Sequence, residues 1–377
     1  MIFFDDIKKE LTSSLSRVSH VIIKLGTGVL TRHIDKNDEE FFLKLADQIK
    51  IIQSEGKKVL LVSSGAVGFG KKIWSSKIAH RDPDLFSLQE KQALASLGQS
   101  LLMDTYRSEF DKRHLIAAQI LVSISDFQKR SHFMHLKNTL DKLLEWGAVP
   151  VINENDAVTV EGLRFGDNDT LSALIAGMYP SSCLIILTTV DGFYMNGEKV
   201  DLLTKVTTEE MKAAGDPSKG GVGGMRTKLV AARKILLSGQ IMNIASGKDP
   251  SIISGVLKGN SVGTWFIPEN MNVFNAKKRW LLHHKYSDGK IFIDQGAENA
   301  LYNSGASLLI VGIVSADGNF MKGDSVDIIN LDHKIIGRGV VSVNRSDLDK
   351  LMSANSITRG KEIIHRDSLV IFNREEQ

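Results

Sequence analysis

The chain has a single cysteine in 377 residues, Cys183. One thiol cannot form an intrachain disulfide, which points to a reducing compartment. Cys183 lies in the apolar run Cys183-Leu184-Ile185-Ile186-Leu187, so it reads as a buried strand thiol and not as a nucleophile. No apolar run reaches the ~18 residues of a membrane span. The opening Met1-Ile2-Phe3-Phe4-Asp5-Asp6 puts acids where a signal peptide carries bases, and no apolar stretch follows. The expectation is a cytoplasmic protein. Excess charge of one sign is also missing: 47 Lys and Arg face 44 Asp and Glu, a formal net charge of +3. A protein that lives on nucleic acid usually carries a stronger basic excess, so the balance favours a small-molecule partner. Internal repeats and low-complexity tracts are absent. What remains is 42% hydrophobic and 24% charged, a globular composition. At ~150 residues per domain the length suggests two or three domains.

The first two thirds alternate short apolar runs with helical patterns. Val21-Ile22-Ile23 ends in the glycine turn Gly26-Thr27-Gly28, and Phe41, Leu45, Ile49 and Ile52 then follow a helical spacing. Val59-Leu60-Leu61-Val62 ends at Ser63-Ser64-Gly65. Strands are predicted over 115–122, 149–152, 184–187 and 241–245. Helices are predicted over 88–110, 136–146, 169–178 and 225–237. Strands this apolar, separated by helices, predict a largely parallel sheet covered on both faces, with ligands beyond its carboxyl edge. The character changes after Pro268. Residues 269–280 are polar and basic and read as a linker. Short segments separated by glycine turns follow: 290–294, 307–314, 325–329 and 335–343. They predict a small β-rich domain over 281–377, after an α/β domain over 1–268.

Each group with chemical potential follows a strand end or opens a helix. Lys24-Leu25-Gly26-Thr27-Gly28 offers amides and a point charge to an anion. It is not a P-loop, which needs its Lys-Ser/Thr after the second glycine. Ser63-Ser64-Gly65-Ala66 offers hydroxyls and amides. Asn153-Glu154-Asn155-Asp156 sets four polar side chains in a row at a strand end. Gly166-Asp167-Asn168-Asp169-Thr170 opens a helix, and alone would be read as a capped turn. Gly220-Gly221-Val222-Gly223-Gly224-Met225-Arg226-Thr227-Lys228 brings four glycines to a helix start with a lysine in its first turns. Alone it is as well explained by a loop as by a phosphate cradle. Together these segments suggest phosphoryl transfer. Lys24 and Lys228 clamp the transferring group, and Asp167 and Asp169 position the lysines and balance their charge. An acceptor that is already an anion needs no histidine base.

Three blocks carry a family resemblance: 149–158, from Val149 through the Asn153–Asp156 run to Val158; 166–174; and 223–228, Gly-Gly-Met-Arg-Thr-Lys. With Lys24–Thr27 and Ser64–Ala66, they make the chain similar to the glutamate 5-kinase family of the amino-acid kinase superfamily, with a C-terminal PUA domain. The resemblance spans about residues 18–366. It implies a three-layer α/β/α kinase domain and a small β-rich PUA barrel. It implies ATP-dependent phosphorylation of the glutamate γ-carboxylate, the first step of proline biosynthesis, with Mg²⁺ held chiefly by phosphate oxygens. By motif match Lys24, Lys228 and Asp169 are catalytic, and Ser64, Asp156 and Asn168 hold glutamate. Lys24, Thr188, Thr189 and the run Val222, Gly223, Gly224, Met225, Arg226, Thr227 and Lys228 hold ATP. Proline feedback, weak RNA binding by the PUA domain and a homo-oligomer are further expectations of that kind. Thr189, Val222 and Arg226 depart from the family's usual Asp, Thr and small residue, and the stretch after Tyr194 is short. These departures bear on side-chain contacts to the nucleotide and leave the backbone phosphate cradle and the glutamate side as the resemblance implies.

Plainer readings hold elsewhere. His132 and His135 are three apart on a helix, without the pattern of a zinc site, and read as surface. His283-His284 and Lys277-Lys278-Arg279 read as solvated. Phe41, Phe42, Phe110 and Trp146 fall on helical stripes and are expected in the core. Two other functions stay open: another superfamily kinase, acting on aspartate, acetylglutamate or a nucleoside monophosphate, and an RNA-binding PUA protein with a secondary kinase half. The Asn153–Asp156 block speaks against the first. The second meets a tail with 14 Lys/Arg against 13 Asp/Glu from residue 277 onward.

Overall fold

A computed structural model describes residues 4–35, 39–74, 86–159, 168–215, 224–269, 278, 281, 287, 289–353 and 360–372. The chain divides into two compact units. The first comprises Met1–Asp126 with His135–Val273, the second Phe127–Met134 with Phe274–Gln377.

The strands of the first unit are β1 (His20–Leu25), β2 (Lys58–Ser63), β3 (Ala117–Val122), β4 (Val149–Glu154), β5 (Ser182–Thr188), β6 (Phe193–Met195), β7 (Glu198–Val200), β8 (Leu202–Leu203), β9 (Ile241–Ser246) and β10 (Thr264–Phe266). Eight of them form one sheet in the order β3-β4-β2-β1-β5-β9-β10-β8, with β6 and β7 in a separate hairpin. The sheet is parallel from β3 through β9, and β10 runs antiparallel to β9. Apolar runs such as Val21-Ile22-Ile23 and Val59-Leu60-Leu61-Val62 are buried on both pleat faces, as a helix-covered parallel sheet requires. Cys183 is buried in β5, where burial pushes its thiol up to about 12. Pro150 is tolerated inside β4 because the β2–β4 ladder pairs only Val151 and Ile152, so no hydrogen bond is lost at the missing N–H.

The order β4-β2-β1-β5 makes β1 the switch point of the sheet. The chain builds one wing with β2, β3 and β4, then crosses to β5. The crossing segment contains the helix Asn168–Gly177, which packs over β4, β2, β1 and β5. Its first residues thus stand at the carboxyl edge, where open α/β sheets bind ligands. Helices Ala66–Ile73 and Leu88–Asp111 lie backbone to backbone beside this edge. A Cβ on Gly98 would come within 1.8 Å of the Ala66 carbonyl oxygen, and one on Gly70 within 1.9 Å of that of Leu94. A Ser87/Glu90 capping box starts the longer helix.

The second unit holds β11 (Gly289–Ile293), β12 (Leu308–Leu309), β13 (Ile313–Gly318), β14 (Ser325–Ile329), β15 (Ile335–Val340), β16 (Glu362–Ile364) and β17 (Leu369–Ile371). Five form a sheet ordered β13-β11-β14-β15-β17, antiparallel apart from the β11–β14 pair. Ile291, Phe320, Ile328, Ile336 and Leu348 form its core. Asp327 and Arg338, opposite each other on β14 and β15, make a buried ion pair at 2.7 Å.

Several sequence expectations change in detail. Phe41, Phe42 and Phe110 are buried, but Trp146 is 70% exposed. Its helix, Arg130–Glu145, stops one residue earlier, and Gly147 turns the chain with φ +78°, so the helical stripe no longer governs position 146. The strand expected over 307–314 is broken by a 3-10 turn, Ile310–Gly312. Gly312 lies so close to Ala297 that a Cβ there would sit 2.5 Å from that of Ala297. His132 and His135 are exposed. The helix Phe4–Ser16 has no counterpart in the sequence reading. His283, His284, Lys277 and Arg279 lie outside the described residues.

Candidate active site

The carboxyl ends of β1, β2, β5 and β9 are stitched into one floor. Ser64 N–H donates to the Leu25 carbonyl at 3.3 Å, Gly26 N–H to Leu187 at 3.1 Å, and Gly247 N–H to Thr188 at 2.7 Å. Gly65 follows in the left-handed region, φ +102°, which only glycine adopts at little cost, and the helix Ala66–Ile73 starts there. This turn aims Ser64 back over the floor.

Lys24 is the penultimate residue of β1 and is buried. Its Nζ contacts Asp169 Oδ1 at 2.5 Å. Asp169 occupies the first turn of the crossing helix and has no exposed surface. Its Oδ2 accepts from Lys228 Nζ at 3.1 Å and from Thr227 Oγ1 at 2.8 Å. Lys228 is buried too, in the first turns of the helix Met225–Leu237. Three segments more than fifty residues apart thus converge on one carboxylate. Burial alone would raise the Asp169 carboxyl. The charges of Lys24 and Lys228, with hydrogen bonds from Lys24 and Thr227, outweigh burial and hold it below the usual carboxylate range.

Among the described residues, two buried ammoniums, Lys24 and Lys228, face the one carboxylate of Asp169. The helix Met225–Leu237 brings its N-terminus to the same place, where Gly224 has no side chain to cap the first-turn amides. The arrangement is built for a multiply charged anion such as a phosphoryl group.

On the β2–β4 side the polar groups form a network. Asn168 Nδ2 lies 2.8 Å from Ser64 Oγ, 3.1 Å from the Ser63 carbonyl and 3.1 Å from Asn153 Oδ1. Asn153 Nδ2 donates to Gln99 Oε1 at 3.0 Å. Ser63 Oγ pairs with the Tyr106 hydroxyl at 2.9 Å, and burial raises that phenol above its ordinary value. Asp156, two residues past β4, lines a cavity of about 220 Å³ with Gln99, Gln119, Glu154 and Asn155.

Of the sequence candidates, Lys24, Asp169 and Lys228 come together directly, and Ser64 and Asn168 lie beside them. Thr188 is buried at the end of β5, and Thr189 is exposed, with its methyl 2.9 Å from where a Cβ on Gly28 would stand. Gly224, Met225 and Arg226 open the lysine-bearing helix, with Arg226 exposed. Asp167, Val222 and Gly223 lie outside the described residues. Thr227, expected at the nucleotide, stands in the first turn of that helix and donates to Asp169 Oδ2. Gln99 and Tyr106 were missed. The available signal was a glutamine on the apolar stripe Ala95, Leu102 and Met103 of its helix.

Comparison with known proteins agrees with this geometry. Residues 19–244 match the model of the amino acid kinase family, and residues 289–360 that of the PUA domain. The chain therefore belongs to the amino acid kinase family, with a PUA domain behind the kinase fold. Its similarity is to the glutamate 5-kinases of that family. It is 35% identical to the glutamate 5-kinase of Thermoanaerobacter sp. (strain X514) over 95% of this chain and 99% of the relative. It is 36% identical to that of Geobacter metallireducens over 96% and 100%. It is 37% identical to that of Syntrophotalea carbinolica over 95% and 98%.

Proposed function

We propose that this chain transfers the γ-phosphoryl group of ATP to the γ-carboxylate of L-glutamate, giving L-glutamyl 5-phosphate and ADP at the entry to proline biosynthesis. The observation that carries the reading is the buried Lys24–Asp169–Lys228 centre at the carboxyl edge, at the switch point of an amino acid kinase sheet. A carboxylate oxygen attacks the γ-phosphorus while the bond to the β–γ bridging oxygen breaks. The nucleophile is already ionised, so no base is needed, and catalysis rests on position and charge. Lys24 and Lys228 stabilise the charge that spreads over the transferring group, and Asp169 holds both lysines in place. Ser64, Asn168 and Asp156 hold glutamate, with the Asp156 carboxylate suited to its ammonium. Thr188, Thr189 and residues 222–228 hold ATP, the backbone serving its phosphates.

Mg²⁺ enters this reading with ATP. The Asp169 oxygens are engaged by Lys24, Lys228 and Thr227, so the donor set favours an ion carried on phosphate oxygens. In the same reading, 1–268 is the catalytic domain, 269–280 a linker and 281–377 the PUA domain, in a cytoplasmic enzyme. No described helix is long and apolar enough to cross a membrane. Self-association has a surface to use, since β3 is the sheet's edge strand and leaves Leu121 and the preceding Ile116 exposed. RNA contact through the near-neutral tail is weak, and proline inhibits by feedback; filter binding and added proline test these two.

The deciding assay incubates the chain with ATP and Mg²⁺ against glutamate, aspartate or acetylglutamate, with hydroxylamine to trap acyl phosphate. Hydroxamate from glutamate alone is expected. Hydroxamate from aspartate or acetylglutamate in its place refutes the assignment.

A further inference from the structure

Gln99 belongs to none of the segments that suggested chemistry, yet it is buried and bonded to the substrate side. It follows Gly98, where the helix Leu88–Asp111 touches the helix Ala66–Ile73 that starts behind Ser64. A main-chain bond fixes the sense of its hydrogen bond. Glu154 N–H donates to Asn153 Oδ1 at 2.9 Å, and a backbone N–H can only donate. Asn153 must therefore offer Nδ2 to Gln99, and Gln99 must answer with Oε1, at 3.0 Å. On its other side the same Asn153 Oδ1 accepts from Asn168 Nδ2, which also reaches Ser64 Oγ. Gln99, Asn153, Asn168 and Ser64 form one polarised relay, ending beside Asp169.

The relay leaves Gln99 Nε2 buried and without a partner among the described residues. A buried amide on the apolar stripe of a helix is costly when half satisfied. A methionine or leucine would fill the volume without that cost. The bond to Asn153 is what the glutamine adds.

We propose that Gln99 is a positioning residue for the acceptor amino acid: it anchors Asn153, and through Asn153 it sets the orientation of Asn168 and Ser64. This rests on the reading that Ser64 and Asn168 hold glutamate. Among the described residues Gln99 has its one side-chain hydrogen bond to Asn153, on the acceptor side, so its effect falls on one substrate.

The test uses the full chain, with hydroxamate formation as readout and thermal unfolding as a control for folding. Gln99→Met removes the acceptor at nearly constant volume. It should raise the KM for glutamate about tenfold, the order expected for losing one buried hydrogen bond, and leave the KM for ATP within about twofold. Gln99→Glu keeps an oxygen toward Asn153, and burial favours its neutral form, so its KM for glutamate should stay within about threefold of wild type. In a Ser64→Ala background the effect of Gln99→Met should shrink, because linked groups are not additive. Should Gln99→Met not fold, Gln99→Asn, too short to reach Asn153, replaces it with the same expected split. The inference is overturned if the KM for glutamate is unmoved in a folded variant, if both KM values rise together, if Gln99→Glu behaves like Gln99→Met, or if the Ser64→Ala cycle is additive. Wild-type chain that makes no hydroxamate from glutamate would overturn the proposed function itself, and this inference with it.

Discussion

Asp169→Asn is the perturbation with the most to say. The carboxylate has no exposed surface and is held by Lys24 at 2.5 Å, Lys228 at 3.1 Å and Thr227 at 2.8 Å. Removing one partner of a buried ion pair costs ~3–5 kcal/mol. The asparagine oxygen can still accept from one lysine or from Thr227, so about 3 kcal/mol is expected, toward the lower end. The phosphates of ATP bring back the missing anion. Saturating nucleotide at about a hundred times Kd adds ~2.7 kcal/mol to any protein that binds it only when folded. The variant should gain more than that, because its uncompensated lysines bind the anion more tightly. Turnover should nevertheless fall ~10²-fold or more, since neither lysine is held where charge develops. The acid limb supplies a second reading. The wild-type carboxyl lies below its ordinary value, so its stabilisation is complete above the unfolded value of about 3.9 and is lost as pH falls through the lower folded value. Asp169→Asn lacks that loss. Urea unfolding with and without ATP and Mg²⁺, at neutral and acid pH, together with hydroxamate turnover, checks all three. Stability within about 1 kcal/mol of wild type and near-normal turnover would refute the reasoning.

Other outcomes follow from the same geometry. Lys228→Ala should lower kcat ~10²-fold or more while circular dichroism shows a native fold, and normal turnover would remove the helix Met225–Leu237 from the chemistry. Asp156→Asn should raise the KM for glutamate far more than that for ATP, by the ~1.5–3 kcal/mol of a charge-assisted hydrogen bond; the reverse split would place Asp156 on the nucleotide side. A chain truncated after Pro268 should still make acyl phosphate, since the candidate chemistry precedes that residue. Because Phe127–Met134 groups with the C-terminal unit, the truncation splits that unit and should lower solubility; a folded but inactive truncate would mean the tail completes the site. His20 stacks on Tyr179 at 4.0 Å, and burial, then Lys58, lower its imidazole to about 4. The unfolded chain takes up this proton near pH 6.5 and the folded chain only near 4, so stability should decline as pH falls between them. His20→Phe should flatten that decline in denaturant titrations, and an unchanged slope would clear His20 of it.

Much of this protein is written in local patterns. Runs such as Leu184–Leu187 announce strands buried on both faces because no polar position interrupts them. The helix predicted over 225–237 has those bounds in the structure, since Gly224 marks its start and its apolar spacing its length. Lys24, Asp169 and Lys228 were legible because each follows a strand end or opens a helix, where backbone amides and charge are offered together. Trp146 escaped because a helical stripe predicts burial only as far as the helix lasts, and its end was set one residue earlier. Gln99 escaped because a polar residue on an apolar stripe has meaning only once its partner is known, and Asn153 is 54 residues away. The bond from Thr227 to Asp169 escaped because sequence spacing does not say which way a first-turn hydroxyl points. The sequence by itself marked the apolar strands β1 to β5 and β9, several of the helices between them and the segments that carry charge. Only the tertiary structure decided that Asp169 would stand between two lysines, because that depends on a crossover that leaves one wing of the sheet, passes over β1 and joins the other.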